Sequence, residues 1–416
     1  MNPKLSGVGL ALILCGFVVV SYYTVVIGWS LIYSYHSFFL SWGEDAGGFF
    51  INQVLNSSEG PDIIGNIQVN VLLALIAAWI LIYFCVWKGT ESVEKVIQIT
   101  VPLPIMIAVV LLIRGITLPG AMSGIAYYLI PNFSALWDFE IWSAAMSQIF
   151  FTLSVGFGIM IAYASYTKKT NVVKDAWTTA LINSGTSILA GFVVFTTIGF
   201  MAVTSQTPID ELAKSGPSLA FIVFPEILNR MPGAPVFAFL FFVMLVTLAI
   251  DSAFSLVEAV TTVIYDSYVQ IKRKHIALGV CAVGFLISLI FTTSGGLHYL
   301  DITDHYITTY GLVGAGLLET LVVGWVYGAN KLKNEIINQN SDIRLNQSWN
   351  FQIQCMIPVC LVIMLITSLW RDISVPYEGY PGWAQGIGWS IVVSIFVISA
   401  AYSVISKGRR PAESMI

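Results

Sequence analysis

The sequence predicts an all-α protein that crosses a membrane about ten times. Hydrophobic residues make up 57% of the 416 residues, charged residues make up only 10%, and the mean hydropathy is +0.81. A soluble chain carries about 25% charged residues. The apolar residues form runs of roughly 20 residues or more, the length with which a helix crosses a hydrocarbon core of about 30 Å. Because the alternation typical of barrel strands is missing, we expect these spans to be helices.

Ten such runs can be drawn on the sequence, and their ends are uncertain by about four residues. The predicted spans are residues 8–36, 66–87, 93–114, 141–165, 176–203, 235–265, 275–294, 303–327, 351–370 and 385–405. No stretch between them is rich enough in Pro, Gly or Ser to link two soluble domains. Residues 1–416 are therefore predicted to form a single transmembrane domain.

The basic residues predict an orientation. If ten spans begin from a cytoplasmic N-terminus, fifteen of the 19 lysine and arginine residues fall on the cytoplasmic face. An excess of this kind is typical of the cytoplasmic loops of membrane proteins. We therefore predict a multi-pass protein in the bilayer of the plasma (inner) membrane, with both termini in the cytoplasm.

The charge and cysteine patterns argue against several kinds of partner. The longest basic run, Lys272–Lys274, lies beside a predicted span and is interpreted as an orientation signal, so no nucleic-acid partner is expected. All five cysteines fall inside apolar runs, without the paired spacing of a disulfide or a zinc site. We expect no cofactor.

Polar residues inside the spans are the best indicators of function, because they are costly in lipid. Residues 148–158 of the fourth span, QIFFTLSVGFG, contain two hydroxyl residues and two glycines. Such a segment can unwind in mid-membrane and offer backbone groups to a substrate or an ion. Packing of small residues against a neighbouring helix is the alternative interpretation.

Two further spans carry polar residues at positions that suit a site. Asn183 and Ser187 are one helical turn apart and share a face, and interhelical hydrogen bonding is the alternative interpretation. Asp251, followed by Ser252, is interpreted as the only acid in the middle of a long apolar span, with Glu258 two turns further on. An unpaired carboxylate at that depth favours a cation partner.

Taken together, these segments resemble the sodium- and chloride-dependent neurotransmitter symporter family, and most closely its bacterial, leucine-transporter-like amino-acid transporters. The resemblance rests on residues 148–158, the helix of Asn183, the outer-loop stretch 216–226 and the helix of Asp251, and it extends over essentially the whole chain. It implies an inverted-repeat transporter fold that works by alternating access.

The resemblance is incomplete at the N-terminal end. Members of the family have about twelve membrane helices, and the first span of this chain resembles the third of them. The expected fold is therefore an incomplete inverted-repeat fold, similar to helices three to twelve of the family.

The resemblance implies a substrate pocket in mid-membrane. Val19 and Tyr23 are similar to residues that wall this pocket, and the Tyr23 hydroxyl would reach the substrate carboxylate. Phe151 resembles the aromatic lid above the substrate. The other implied substrate-binding residues are Thr152, Ser154, Gly156, Phe157, Ser252 and Leu256.

The resemblance also implies sites for the coupling ions. The implied sodium ligands are Thr152 and Asn183 at one site, and the Leu248 carbonyl, Asp251 and Ser252 at a second. Hard oxygen donors of this kind suit Na⁺. Ser187 stands where chloride-independent bacterial members have an acid, which favours chloride dependence. The implied chloride site is Gln148, Thr152, Asn183 and Ser187.

The tenth helix of the family carries the acid of an outer gate, and Asp304 or its neighbour His305 resembles that position. The function predicted from all these observations is sodium-coupled symport of a small solute, a neutral amino acid, and not catalysis. One alternative is a truncated, non-transporting protein or assembly partner that keeps the scaffold. Another is a membrane-embedded enzyme, which would need a convergent acid, base or metal cluster.

Overall fold

The all-α fold is confirmed by the computed structural model, which describes residues 5–166, 171–213, 216–268 and 270–405. Within those ranges the one pairing of extended chain is an isolated antiparallel bridge between Ile67 and Thr293. Helices of six residues or more are α1 (Ser6–His36), α2 (Val69–Val86), α3 (Thr90–Thr100), α4 (Pro102–Ile116), α5 (Ala121–Leu129), α6 (Phe139–Thr152), α7 (Ile159–Tyr166), α8 (Val172–Ser205), α9 (Phe224–Asn229), α10 (Ala234–Ser267), α11 (Arg273–Ser288), α12 (Gly296–Tyr306), α13 (Val313–Leu321), α14 (Ile357–Ser374) and α15 (Gly382–Ile405).

Short α-helices and π- and 3₁₀-helical segments lie between these helices. Short α-helices are Ala46–Gly48, Ile209–Leu212, Gly216–Ser218, Ala329–Leu332 and Gln347–Phe351. π-Helical segments are Phe49–Val54, Leu219–Val223, Ile307–Leu312, Val322–Gly328, Lys333–Ile337 and Gln352–Met356. 3₁₀ segments are Phe133–Trp137, Leu289–Thr292, Asn338–Asn340 and Tyr377–Gly379.

Nine helical stretches in the described part of the chain are long and apolar enough to cross a membrane. They are Ser6–His36, Val69–Val86, Glu91–Ile116, Val172–Ser205, Ala234–Ser267, Arg273–Thr292, Gly296–Asn340, Gln347–Gly379 and Gly382–Ile405. Each overlaps one predicted span. The remaining predicted span, 141–165, is divided into α6 and α7 by residues 153–158, which are not helical.

The third predicted span, 93–114, is interrupted as well. α3 ends at Thr100, and Pro102 is the first residue of α4. A proline has no backbone N–H to give to the carbonyl four residues earlier, so the helix restarts at this point. Hydropathy alone did not predict the interruption, because Pro102 and Pro104 lie among strongly apolar neighbours.

The contacts divide the chain into two compact units. The first unit contains Met1–Val19, Asp138–Leu181 and Asp301–Ile416, and the second contains Val20–Trp137 and Ile182–Leu300. The single transmembrane domain over residues 1–416 stays a prediction.

Contacts between loops agree with the predicted alternation of spans. In the first unit, the Asn171 side chain donates to Asp342 at 2.5 Å, which joins two loops that were both predicted to be cytoplasmic. In the second unit, the Ser294 backbone N–H donates to the Asn66 carbonyl at 3.1 Å. These residues are the ends of the predicted spans 275–294 and 66–87, and both ends were predicted at the opposite face. Loops on different sides of a bilayer could not make these bonds.

An aromatic cluster forms the core at one end of the second unit. The rings of Phe50 and Phe221 stack at 5.2 Å, and the Tyr33 ring lies 4.8 Å from Phe242. The fully buried Tyr33 also donates its hydroxyl to the Phe221 carbonyl at 2.8 Å. Two π-helical loop segments, Phe49–Val54 and Leu219–Val223, are therefore fixed to α1 by rings and by one hydrogen bond.

A buried ion pair holds the opposite end of α10 to α11. Arg273 donates to the Glu258 carboxylate at 2.5 Å and to the Thr262 hydroxyl at 3.1 Å, and Glu258 is only 1% exposed. Arg273 belongs to the basic run that was interpreted as an orientation signal. The structure adds a second role, because the guanidinium neutralises an acid inside the unit.

We expect Tyr33→Phe to lower the thermal unfolding midpoint of the purified chain in detergent, because it leaves the Phe221 carbonyl without a buried donor at a cost of about 1 kcal/mol. Tyr35→Phe is the matched control, since Tyr35 is 63% exposed. Equal midpoints for the two variants would show that the Tyr33 hydrogen bond does not stabilise the fold.

Candidate functional site

A break in the membrane helix forms the centre of the candidate site in the first unit. α6 ends at Thr152 and α7 begins at Ile159, so residues 148–158 contain the unwound stretch that the composition allowed and the resemblance implied. Ser154, Gly156 and Gly158 have φ angles of 52°, 83° and 73°. These left-handed conformations end the i to i+4 hydrogen-bond ladder, so backbone groups of the break are available for other partners.

Two phenylalanines border the break. Phe157 is buried, whereas Phe151 is 44% exposed, and their rings meet edge to face at 5.8 Å. Thr152 and Ser154 are half-buried beside them, and Gln148 is exposed one turn earlier on α6. An exposed ring next to polar backbone suits a lid above a small solute, which is the role that the resemblance gives to Phe151.

The second unit brings two of the implied substrate residues together. A side-chain hydrogen bond joins Tyr23 on α1 to Ser252 on α10. Leu256 lies one turn beyond Ser252 and is buried. Val19 is buried one turn before Tyr23 on α1.

The implied second sodium site lies on α10. Asp251 is half-buried, and its carboxylate accepts a hydrogen bond of 2.5 Å from the Thr100 hydroxyl at the end of α3. Leu248 is 42% exposed, and it lines a cavity of about 220 Å³ within the second unit. Thr100 was not singled out from the sequence, because nothing in the sequence shows that the end of α3 meets Asp251.

The remaining implied ion ligands are divided between the two units. Asn183 is half-buried and Ser187 is exposed, one turn apart on α8 in the second unit. Gln148 and Thr152 belong to the first unit. The sodium, chloride and substrate assignments of these residues stay predictions.

The expected outer-gate residues belong to a polar cluster in the first unit. His305 Nε2 lies 2.5 Å from Asp372 Oδ2, and both side chains are buried. The Tyr310 hydroxyl donates to the same Asp372 oxygen at 2.7 Å, and the Tyr377 ring stacks on His305 at 3.6 Å. His305 is therefore fixed between α12 and α14, while Asp304 beside it is half-buried.

The sequence interpretation missed both Asp372 and Glu319. The predicted ninth span ended at residue 370, so Asp372 was counted as loop, whereas α14 continues to Ser374. The interpretation of Asp251 as the only acid inside a long apolar span was wrong, because Glu319 lies in α13 within the helical stretch Gly296–Asn340. Averaged hydropathy over a long run does not register one acid.

Comparisons with known proteins identify the chain's relatives. The model of the sodium:neurotransmitter symporter family matches residues 43–409. An uncharacterized sodium-dependent transporter of Methanocaldococcus jannaschii is 38% identical over 390 residues, which cover 93% of this chain and 79% of the relative.

Animal transporters are similar as well. The human sodium- and chloride-dependent GABA transporter 2 is 34% identical over 450 residues, covering 98% of this chain and 74% of the relative. The sodium- and chloride-dependent creatine transporter 1 of Bos taurus is 38% identical over 359 residues, covering 83% of this chain and 56% of the relative.

We expect Gly156→Ala to destabilise the chain by about 1–3 kcal/mol, because a side chain strains this left-handed position. The added Cβ would also lie 3.2 Å from the Leu312 carbonyl oxygen and the Phe150 ring. Gly279→Ala on α11 is the matched control, since its Cβ would meet nothing within 4 Å. If both variants unfolded at the wild-type temperature, the break would not depend on glycine.

We expect Asp372→Asn to lower the unfolding midpoint, because it weakens a charged acceptor that serves His305 and Tyr310; hydrogen bonds to charged groups contribute about 1.5–3 kcal/mol each. Glu378→Gln neutralises an exposed acid nearby and is the control. Thermal unfolding in detergent compares the two. A larger loss for Glu378→Gln would contradict a stabilising role for the buried cluster.

Proposed function

The chain belongs to the sodium:neurotransmitter symporter family, and from that premise we propose that it carries a small solute, a neutral amino acid, across the plasma (inner) membrane together with Na⁺. Members of this family are transporters and not enzymes, which excludes the alternative of a membrane-embedded enzyme. The protein is a multi-pass membrane protein whose transport depends on sodium.

One observation carries the proposal most directly: the helix break between α6 and α7. Six residues, 153–158, interrupt an otherwise strong membrane helix, and positive φ angles hold them in a non-helical shape. Irregular backbone at membrane depth is tolerated where it lines a cavity or binds a ligand. Discontinuous helices of this kind hold substrate and coupling ions in many secondary transporters.

The proposed second sodium site uses Asp251, Ser252 and the Leu248 carbonyl. A carboxylate, a hydroxyl and a carbonyl within five residues of α10 provide the hard oxygen donors that such a cation needs. The Thr100 hydroxyl, which donates to Asp251, would orient the carboxylate. Thr152 and Asn183 are the proposed protein ligands of the first sodium ion.

Chloride is the proposed counter-ion to the two sodium ions. Ser187 and Asn183 supply a hydroxyl and an amide one turn apart on α8, and both groups can donate to an anion. Gln148 and Thr152 supply the other proposed donors. The similarity to sodium- and chloride-dependent transporters supports this part of the proposal.

The proposed substrate is a small zwitterion. Tyr23 supplies a phenol hydroxyl for the carboxylate of the solute, and Phe151 and Phe157 supply apolar surface around its body. Relatives named for GABA and for creatine widen the range of solutes worth testing, since both carry a carboxylate and a cationic nitrogen. Alternating access to this pocket would move substrate and ions together.

The proposal is tested by uptake into proteoliposomes that contain the purified chain. The solutes are a panel of neutral amino acids with GABA and creatine, each under an inward Na⁺ gradient and under a matched K⁺ gradient. We expect accumulation of at least one solute in Na⁺ only, and weaker accumulation when gluconate replaces chloride. No Na⁺-dependent uptake of any solute would overturn the proposal and favour a non-transporting scaffold.

Asp251→Asn tests the second sodium site within the same assay. We expect the half-saturating Na⁺ concentration to rise about tenfold or more, because a charged ligand is replaced by a neutral one. Asp175→Asn is the control, since it neutralises an exposed acid in the first turn of α8. An unchanged Na⁺ dependence in Asp251→Asn would show that Asp251 is not a sodium ligand.

A further inference from the structure

The first unit contains a cavity of about 540 Å³ that borders the helix break, since Val155 of the break is among its lining residues. Met146 and Phe150 of α6 form one wall, and Ile357, Leu361 and Met364 of α14 form another. The third wall is α13. The volume is within the range of about 300–1,000 Å³ that is usual for small-molecule sites.

Glu319 on α13 is the one charged residue among those that line this cavity. Its side chain is half-buried, and in the described part of the chain its carboxylate has no hydrogen bond or ion pair. The buried or half-buried acids of α10 and α14 do have partners: Asp251 has Thr100, Glu258 has Arg273, and Asp372 has His305. A carboxylate at membrane depth without such a partner favours a ligand of positive charge.

The chemistry of the lining distinguishes between cations. A hard metal ion takes about six oxygen ligands, whereas this cavity offers the oxygens of Glu319, the Thr320 hydroxyl and little else. The Thr320 hydroxyl already donates to the helix carbonyls of Gly316 and Leu317. An organic ammonium fits better, because one carboxylate balances its charge and the apolar walls contact its hydrocarbon body.

The wall that carries Glu319 is shaped by π-helical segments. Val322–Gly328 directly follows α13, and Gln352–Met356 directly precedes α14 on the facing wall. The two are joined by a hydrogen bond of 2.9 Å from the Gln354 side chain to the Gly324 carbonyl, and by one of 3.1 Å from the Trp325 indole to the Gln354 carbonyl. π-Helical turns in long helices occur frequently at functional sites.

We propose that this cavity binds an amphipathic organic monocation, with its ammonium group at Glu319 and its aliphatic body along the wall of α6 and α14. The site borders the helix break at Val155, but its binding test does not rest on the proposed transport function. The ligand is a single-chain amine.

The test measures binding of dodecyltrimethylammonium to the purified chain in a neutral detergent, with dodecanol and dodecyl sulfate as probes of equal chain length. We expect the ammonium to bind about tenfold more tightly than either probe, and Glu319→Gln to weaken its binding about tenfold or more. Glu335→Gln, which neutralises an exposed acid, should bind like the wild type. Partition of one probe into the micelle is common to all variants and cancels between them, and affinities of different probes are compared after correction for the measured micelle partition of each.

A second variant keeps Glu319 and fills the space. Cys360→Phe introduces a ring into the cavity lining, and we expect it to abolish ammonium binding while the chain stays monodisperse. If Glu319→Gln does not fold, this variant tests on its own whether the ammonium binds in the cavity. Equal binding of the ammonium to the wild type and to both variants, or equal affinity for dodecanol, would overturn the proposal.

Discussion

The hydrogen-bonding demand of the peptide backbone in lipid is the constraint on which the rest of this structure depends. Inside a hydrocarbon core each N–H and C=O needs a partner, and a continuous helix supplies nearly all of them. Residues 153–158 are not helical, and the left-handed backbone conformations of Ser154, Gly156 and Gly158 keep them so. The backbone groups released there are what make the segment chemically useful.

Charged side chains in lipid need partners for the same reason. Glu258 is neutralised by Arg273, Asp372 accepts from His305 and Tyr310, and Asp251 accepts from Thr100. These pairings connect different helices, so a charge that is costly in lipid becomes a fixed contact between elements. Glu319 stands apart, since only apolar groups and one threonine hydroxyl surround it in the cavity that it lines.

Much of the fold could be predicted from the sequence, because the length of an apolar run is a direct physical requirement of the bilayer. Residues 148–158 allowed either an unwound stretch or close packing of small residues, and the family resemblance favoured the break that is found at 153–158. The contact between Thr100 and Asp251 was not predictable, because it depends on which helices meet. The same is true of His305 and Asp372, which are 67 residues apart in sequence. The restart at Pro102 is a local effect of proline, and averaged hydropathy does not register it.

The π-helical segments also affect how this chain is compared with other helices. Each π turn takes one residue more than an α turn, and one residue corresponds to about 100° of rotation about the helix axis. Between Gly296 and Gly328 two such segments, Ile307–Leu312 and Val322–Gly328, lie on either side of α13. A helical wheel drawn through this stretch as a regular α-helix would therefore assign residues beyond each segment to the wrong side. The residues that α13 turns towards its neighbours therefore depend on the extra residues of the π-helical segments as well as on its amino-acid composition.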